Sequence, residues 1–218
     1  MTTLLLILIA AFSYVLGSIN GSILVARLVF RKDIRNYGRG NAGLTNFLRN
    51  FGALGALLVF AVDVLKSVIA VLVGGALLGI VGGRETGMLF AGFCLIMGHV
   101  FPMYYHFKGG KGALCGFSVM VLVDWRVGLC CILAFLICVV LTRYVSLGSM
   151  LAMVLSALFM LAFRHDGLNC LQALLCGLVI VVEHAENILR LIGGTERKLS
   201  IGSGTRRSKQ EDDEEEFY

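Results

Sequence analysis

Three segments of this sequence combine glycines with cations or hydrogen-bonding side chains in the way phosphate-binding loops do. The first runs Asp33-Ile34-Arg35-Asn36-Tyr37-Gly38-Arg39-Gly40-Asn41-Ala42-Gly43-Leu44-Thr45-Asn46 and is followed by Arg49. Glycines at 38, 40 and 43 admit positive φ and let backbone amides approach a ligand. Beside them, Arg35 and Arg49 could hold a phosphate, because a guanidinium is planar and bidentate. Gly38 to Gly43 also fits GxGxxG, with Asp63 about 20 residues on, as in a dinucleotide site. That fingerprint needs a strand before it and a βαβ unit around it. Here a basic stretch precedes it and a long apolar run follows, so the dinucleotide reading is set aside. A basic loop that only orients the chain in a membrane is the plainer alternative.

The second segment is Gly98-His99-Val100-Phe101-Pro102, then Phe107-Lys108-Gly109-Gly110-Lys111-Gly112. Two lysines among three glycines, opening into an apolar run, suit an anion held at a helix N-terminus. It is not a P-loop, since GxxxxGK[ST] is absent, and a flexible basic turn is the bland reading. The third is Glu183-His184-Ala185-Glu186-Asn187-Ile188, then Arg190-Leu191 and Gly193-Gly194-Thr195-Glu196. His184 and Asn187 are three apart and share a helix face, from which they could bond a hydroxyl and a phosphate; a merely interfacial histidine is the alternative. Ser146 and Ser149 add hydroxyls at the start of another apolar run, after Thr142-Arg143-Tyr144. Asp63 and Lys66 lie three apart inside an apolar run, where ionisable groups are costly and mark either function or a bracing ion pair.

The elements that must position these groups are membrane helices. Of 218 residues, 58% are hydrophobic and only 15% charged, with a mean hydropathy of +0.86. A soluble domain carries about 25% charged residues, so this chain is expected to be solvated by lipid. No small-residue cleavage site follows the first apolar run, so it reads as a retained span. A single proline suits long helices. Expected spans are Thr2–Ile19, Ala53–Ile80, Gly87–Tyr105, Ala113–Val123, Val127–Leu141, Val145–Phe163 and Leu168–Val182, about seven in all. The fourth and fifth are short, and residues 113–141 could instead form one broken element.

The expected fold is an all-α polytopic transmembrane bundle with half-buried cytoplasmic loops. Lys and Arg concentrate in alternate loops: Arg27, Arg31, Lys32, Arg35, Arg39 and Arg49 in the first, then Lys108 and Lys111, then Arg143, then the tail. The other loops pair one arginine with one acid each, Arg84 with Glu85, Arg126 with Asp124, and Arg164 with Asp166. The positive-inside rule then places the N-terminus outside and the motifs and tail in the cytoplasm. Residues 1–200 read as one domain, and 201–218 as a disordered acidic tail. The seven cysteines all lie in apolar runs without CxxC or His/Cys ligand spacing, so neither a disulfide framework nor a structural metal is expected.

Taken together, the motifs resemble the bacterial inner-membrane acyl-phosphate:glycerol-3-phosphate acyltransferase family (PlsY). Its pattern of GSIP, DIR..GSGN.GATN..R, D..K, GH.FP...FKGGKG, TRY.SL.S and H..NI.RL..G.E is matched in order. The matching residues are Gly17-Ser18-Ile19, Asp33 to Asn46 with Arg49, Asp63/Lys66, Gly98 to Gly112, Thr142 to Ser149 and His184 to Glu196. Asn20 departs from a proline, Leu44 from an alanine, Leu114-Cys115 from small polar residues, and Arg39 from a serine.

The resemblance implies transfer of a fatty acyl group from acyl phosphate to the 1-hydroxyl of glycerol 3-phosphate, giving lysophosphatidic acid. His184, Asn187, Ser149 and Arg39 are then the expected catalytic residues. Arg35, Gly38, Gly40, Asn41, Thr45, Asn46, Arg49, Lys108, Gly109, Gly110, Lys111 and Gly112 are the expected phosphate-binding set. No cofactor, metal or nucleic acid is implied; the lipid bilayer and an enzyme that produces acyl phosphate are the implied partners. The HxxxxD acyltransferases do not fit, because the residues five on from the four histidines are Tyr104, Lys111, Cys170 and Leu189. A small transporter or channel for an anionic solute is the non-enzyme alternative, but such folds show repeated halves, and none is found.

Overall fold

A computed structural model describes residues 1–199, so the acidic tail expected at 201–218 lies outside the described residues. The described chain contains α1 (Thr2–Gly17), α2 (Gly21–Phe30), α3 (Leu44–Gly79), α4 (Arg84–Val100), α5 (Ala113–Val123), α6 (Trp125–Thr142), α7 (Val145–Ala162), α8 (Gly167–Glu183) and α9 (Ala185–Ile192). Each of the seven expected spans is present as a helix. Among the described residues, five segments are long and apolar enough to cross a membrane, the first being α1 with α2; α8 and α9 qualify as a sixth only together, across a 61° bend. With 11 residues, α5 reaches about 16 Å and cannot cross a ~30 Å hydrocarbon core alone.

Local signals explain the boundaries. Asn20 caps α2 by accepting from the Ile23 N–H at 3.1 Å. Asp124 does the same for α6 through Arg126 N–H at 2.8 Å, and Asp166 for α8 through Asn169 N–H at 3.0 Å. Helix α3 begins nine residues before the expected Ala53 because Gly52, at φ 81° and ψ 177°, kinks it instead of ending it. The open question at 113–141 resolves into two helices. Phe117 on α5 and Phe135 on α6 meet edge-on with ring centroids 5.5 Å apart. They lie seven residues before and eleven after Asp124, so the two helices run antiparallel.

The core lies where α4, α5, α7 and α8 meet, with Leu95, Ile96, Met120, Met153 and Ile180 fully buried. Helix α1 approaches α4 closely enough that a Cβ on Gly98 would come 2.9 Å from Ser18 N. The outward faces are apolar, with Leu54, Leu57, Val140 and Leu141 all exposed, as lipid contact requires. At the end of the bundle away from the glycine loops, His165 bridges Glu85 at 2.6 Å and Asp124 at 3.0 Å. It thereby ties the start of α4 and the α5–α6 and α7–α8 turns together.

Candidate active site

The break between α1 and α2 anchors the site. There the helix ends expose backbone groups that lipid cannot satisfy, and the buried Asp63–Lys66 pair of α3 takes them up. Lys66 Nζ donates to Ile19 O at 2.8 Å and Gly17 O at 3.2 Å, and Asp63 Oδ1 accepts from Gly21 N–H at 3.2 Å. The two side chains are 2.8 Å apart, and Lys66 also lies 2.9 Å from His99 Nδ1 on α4. Asp63, His99 and Cys115 come together as a metal-type cluster. However, the Lys66 ammonium already lies against two of its three members, so the donor set does not fit a resident ion.

Two loops dock on this hub. His99 O accepts from Gly110 N–H at 3.2 Å, Val100 O from Gly109 N–H at 3.0 Å, and Gly109 O from Ala42 N–H at 3.3 Å. Asn20, standing where the resemblance has a proline, donates to Ala42 O at 3.3 Å. The 39–46 loop is shaped by Asn46, whose Oδ1 accepts from Arg39 N–H at 3.1 Å. Its Nδ2 donates to Tyr37 O at 3.0 Å and Asn41 O at 2.9 Å. Gly112, at φ +76°, then turns the second loop into α5; the first amides of that helix have no intrahelical acceptor and face its start.

Opposite, α8 bends at His184. Its Nδ1–H donates to Ile180 O at 2.7 Å, which leaves Nε2 as a hydrogen-bond acceptor. Burial pushes the imidazole down to about 4, so it is neutral at ordinary pH. Lys111 donates to Asn187 Oδ1, and Asn187 Nδ2 donates to Glu196 Oε1 at 2.6 Å. Glu196 also accepts from Ser146 Oγ at 2.9 Å and Arg190 Nε at 2.8 Å. Burial raises the Glu196 carboxyl, but those three donors outweigh it and hold it below its usual value. Burial and then the Arg190 charge push Lys111 down to about 8.

One cavity of about 600 Å³ gathers Arg39, Asn41, Thr45, Asn46, Arg49, Lys111, Gly112, Ser149, His184 and Asn187 from the sequence-derived set. The remainder fall elsewhere. Arg35, Gly40, Lys108 and Gly109 line a separate pocket with Asp33 and His106. Arg35 is clamped by Asp33 at 2.7 and 2.9 Å and donates to Tyr105 O at 2.9 Å. That pairing holds the Asp33 carboxyl well below the usual carboxylate range. Gly38 backs onto Asn46 and Asn50, and Gly110 lies between His99 and Ala42, outside both pockets. The cavity also contains Ser146, Arg190, Glu196 and Arg197, absent from the sequence-derived set. The first three stand within the motifs that carried the resemblance; nothing in the pattern marked Arg197.

A family model described as Glycerol-3-phosphate acyltransferase matches residues 7–194. The chain belongs to the glycerol-3-phosphate acyltransferase family. It is 38% identical over 200 residues to a glycerol-3-phosphate acyltransferase of Finegoldia magna, covering 91% of this chain and 98% of that one. It is 39% identical over 193 residues to the Thermoanaerobacter pseudethanolicus glycerol-3-phosphate acyltransferase, with 88% and 95% covered. Its fold matches a crystal structure of PlsY (YgiH), an integral membrane glycerol 3-phosphate acyltransferase in its glycerol 3-phosphate form. The TM-score is 0.81 at 32% identity, with 89% of this chain and 96% of that one covered. A second form of that protein, with lysophosphatidic acid, matches at a TM-score of 0.78 and 30% identity, with 89% and 95% covered. In this member of the acyltransferase family, the serine-to-arginine departure at Arg39 therefore lies on the cavity wall itself.

Proposed function

We propose that this chain transfers a fatty acyl group from acyl phosphate to the 1-hydroxyl of glycerol 3-phosphate, releasing 1-acylglycerol 3-phosphate and inorganic phosphate. The observation that carries the reading is the polarity of the cavity that holds His184, Asn187 and Lys111. Arg39, Arg49, Lys111, Arg190 and Arg197 ring one end; the other continues between apolar faces of α3, α5 and α6. Two phosphates and one acyl chain match that distribution. The related PlsY structures, in glycerol 3-phosphate and lysophosphatidic acid forms, support the acceptor and product.

The chemistry needs no covalent enzyme intermediate. The acceptor hydroxyl oxygen bonds to the acyl carbon while the acyl carbon–phosphate oxygen bond breaks. The hydroxyl proton goes to the departing phosphate, which leaves as hydrogen phosphate. His184, neutral and presenting Nε2, accepts a hydrogen bond from the hydroxyl and orients it. It is too weak a base to take the proton itself. Lys111 and the start of α5 neutralise charge on the leaving phosphate. Acyl phosphate is already an activated anhydride, so positioning and charge supply most of the rate.

In this reading the protein is a multi-pass protein of the bacterial cytoplasmic membrane, with its N-terminus outside and its site on the cytoplasmic face. The loop cations support that orientation, and an acyl-phosphate-producing enzyme would be its supplier. Purified protein in detergent, given glycerol 3-phosphate with acyl phosphate or acyl-CoA, tests the donor. Lysolipid and phosphate should form with acyl phosphate alone; product from acyl-CoA alone sinks the reading.

A further inference from the structure

The apolar end of the cavity is a trough with a measurable length. Phe60, Val64 and Val68 recur every four residues along α3 and form one wall. On α5, Leu114, Phe117, Ser118, Val121 and Leu122 follow one helical face and form the base, while Ile132, Phe135 and Leu136 of α6 form the second wall. Helices α3 and α6 each pack against α5 but barely touch each other, so the trough is open along its side. Phe60 and Val121, at 44% and 39% exposure, lie on that opening.

Its far end is closed by the α5–α6 turn. Gly128 lets α6 come so near α5 that a Cβ there would lie 2.5 Å from Val121 Cα. Nothing as wide as a methylene chain passes that crossing. From Gly112, beside the cationic end, to Val121 is nine residues, or about 14 Å at the helical rise. An extended chain advances about 1.2 Å per bond, so some dozen carbons fill that distance.

We propose that α5 is a ruler for the acyl donor: the trough grips about the first dozen carbons, and anything longer turns out through the side into the bilayer. This rests on the acyl-phosphate reading above and deepens it. Selectivity then climbs with chain length and levels off, because carbons beyond Val121 stay in lipid whether the donor is bound or free. Each gripped methylene exchanges lipid for the trough walls rather than water for oil, so its gain is close packing alone and the climb per carbon is shallow. Blocking the trough has a position-dependent outcome. Bulk at Ser118, six residues or about 9 Å along α5, ends the grip after roughly seven carbons. Bulk at Val121 trims only the last few.

The test is internal competition. An equimolar mixture of acyl phosphates, from roughly six to roughly eighteen carbons to bracket the trough length, is presented in one mixed micelle with glycerol 3-phosphate. The lysolipid products are weighed by mass spectrometry for the natural chain, Ser118→Phe and Val121→Trp. Product ratios are immune to loss of folded protein, which lowers every product alike. The expected plateau lies near a dozen carbons in the natural chain, slightly shorter in Val121→Trp and near seven in Ser118→Phe. Identical profiles in all three proteins, or a climb that continues to the longest donor, overturn the ruler alone. No lysolipid from any acyl phosphate, in protein that folds and binds glycerol 3-phosphate, overturns the donor reading and the ruler with it.

Discussion

The Glu196 carboxylate accepts a 2.6 Å hydrogen bond from the Asn187 amide, and that bond decides which way Asn187 faces. With Nδ2 committed to Glu196, the oxygen of Asn187 points to Lys111. An asparagine can otherwise present either end of its amide. Replacing Glu196 by glutamine removes a charged acceptor shared with Ser146 and Arg190 and releases that choice. Hydrogen bonds to charged groups are worth about 1.5–3 kcal/mol. Glu196→Gln should therefore lower kcat about tenfold to a hundredfold with a smaller change in KM. Steady-state kinetics on folded protein, checked by its unfolding temperature, decides this. An unchanged kcat means the network does not hold Asn187 in a working pose.

Lys111 makes the pH dependence specific. Pushed down to about 8 by burial, it is cationic below that pH and loses its charge as pH rises through it. The grip on phosphate weakens in the same direction, so kcat/KM should fall above about pH 8. Bound phosphate favours the charged lysine, so the limb in kcat should lie higher. Lys111→Arg keeps its charge and should flatten the limb, while Lys111→Met should remove the limb and lower kcat/KM at every pH.

His184 sets the opposite edge. It is neutral down to about 4, so no acid limb is expected near 6.5, where an ordinary histidine titrates. Replacing it by alanine removes the group that orients the hydroxyl, and turnover should drop by about two orders of magnitude. Near-normal turnover in His184→Ala would remove that residue from the reaction.

Asp63 and Lys66 do a structural task that predicts an unusual double-mutant result. Asp63→Ala leaves the Lys66 ammonium buried without its carboxylate, a loss of about 3–5 kcal/mol. Removing both partners usually restores much of such a loss. Here Asp63→Ala with Lys66→Met should restore little, because Lys66 also satisfies Gly17 O and Ile19 O at the helix break. Thermal unfolding in detergent measures it. Full recovery would show that those carbonyls find other donors.

The helices and the three motifs were legible in the sequence because apolar length, glycine and charge are local signals. The start of α3 was not, since a glycine that usually ends a helix is here carried as a kink at Gly52. Nor could spacing separate Arg35 from Arg49. Both flank the same glycine loop, yet Asp33 sits two residues from Arg35 and clamps it, while Arg49 is carried by α3 onto the cavity wall. The trough was invisible for a deeper reason. Its α3 wall, Phe60 to Val68, lies far in sequence from the α5 base and the α6 wall, Leu114 to Leu136, and each of the three surfaces has the same apolar composition as a lipid-facing stripe. Only packing tells them apart.

Arg39 is where this chain differs most consequentially from the motif it resembles. Its backbone N–H is held by Asn46 Oδ1, so the loop needs only the amide, and the side chain is left to line the cavity beside Asn41 and Arg49. A second guanidinium there adds positive charge where the substrate phosphates are read to bind, and arginine grips phosphate in a way a serine hydroxyl cannot. Arg39→Ser keeps the amide and the loop, and removes only the charge. A charge-assisted hydrogen bond is worth about 1.5–3 kcal/mol, so KM for one phosphorylated substrate should rise about tenfold or more while the unfolding temperature stays put. Varying acyl phosphate and glycerol 3-phosphate separately shows which phosphate Arg39 holds. The penalty should shrink as salt is added, because a half-exposed cation is screened. A loss confined to kcat, with both KM values and the salt dependence unchanged, would mean that Arg39 acts on the transition state instead, as a catalytic stand-in for the serine.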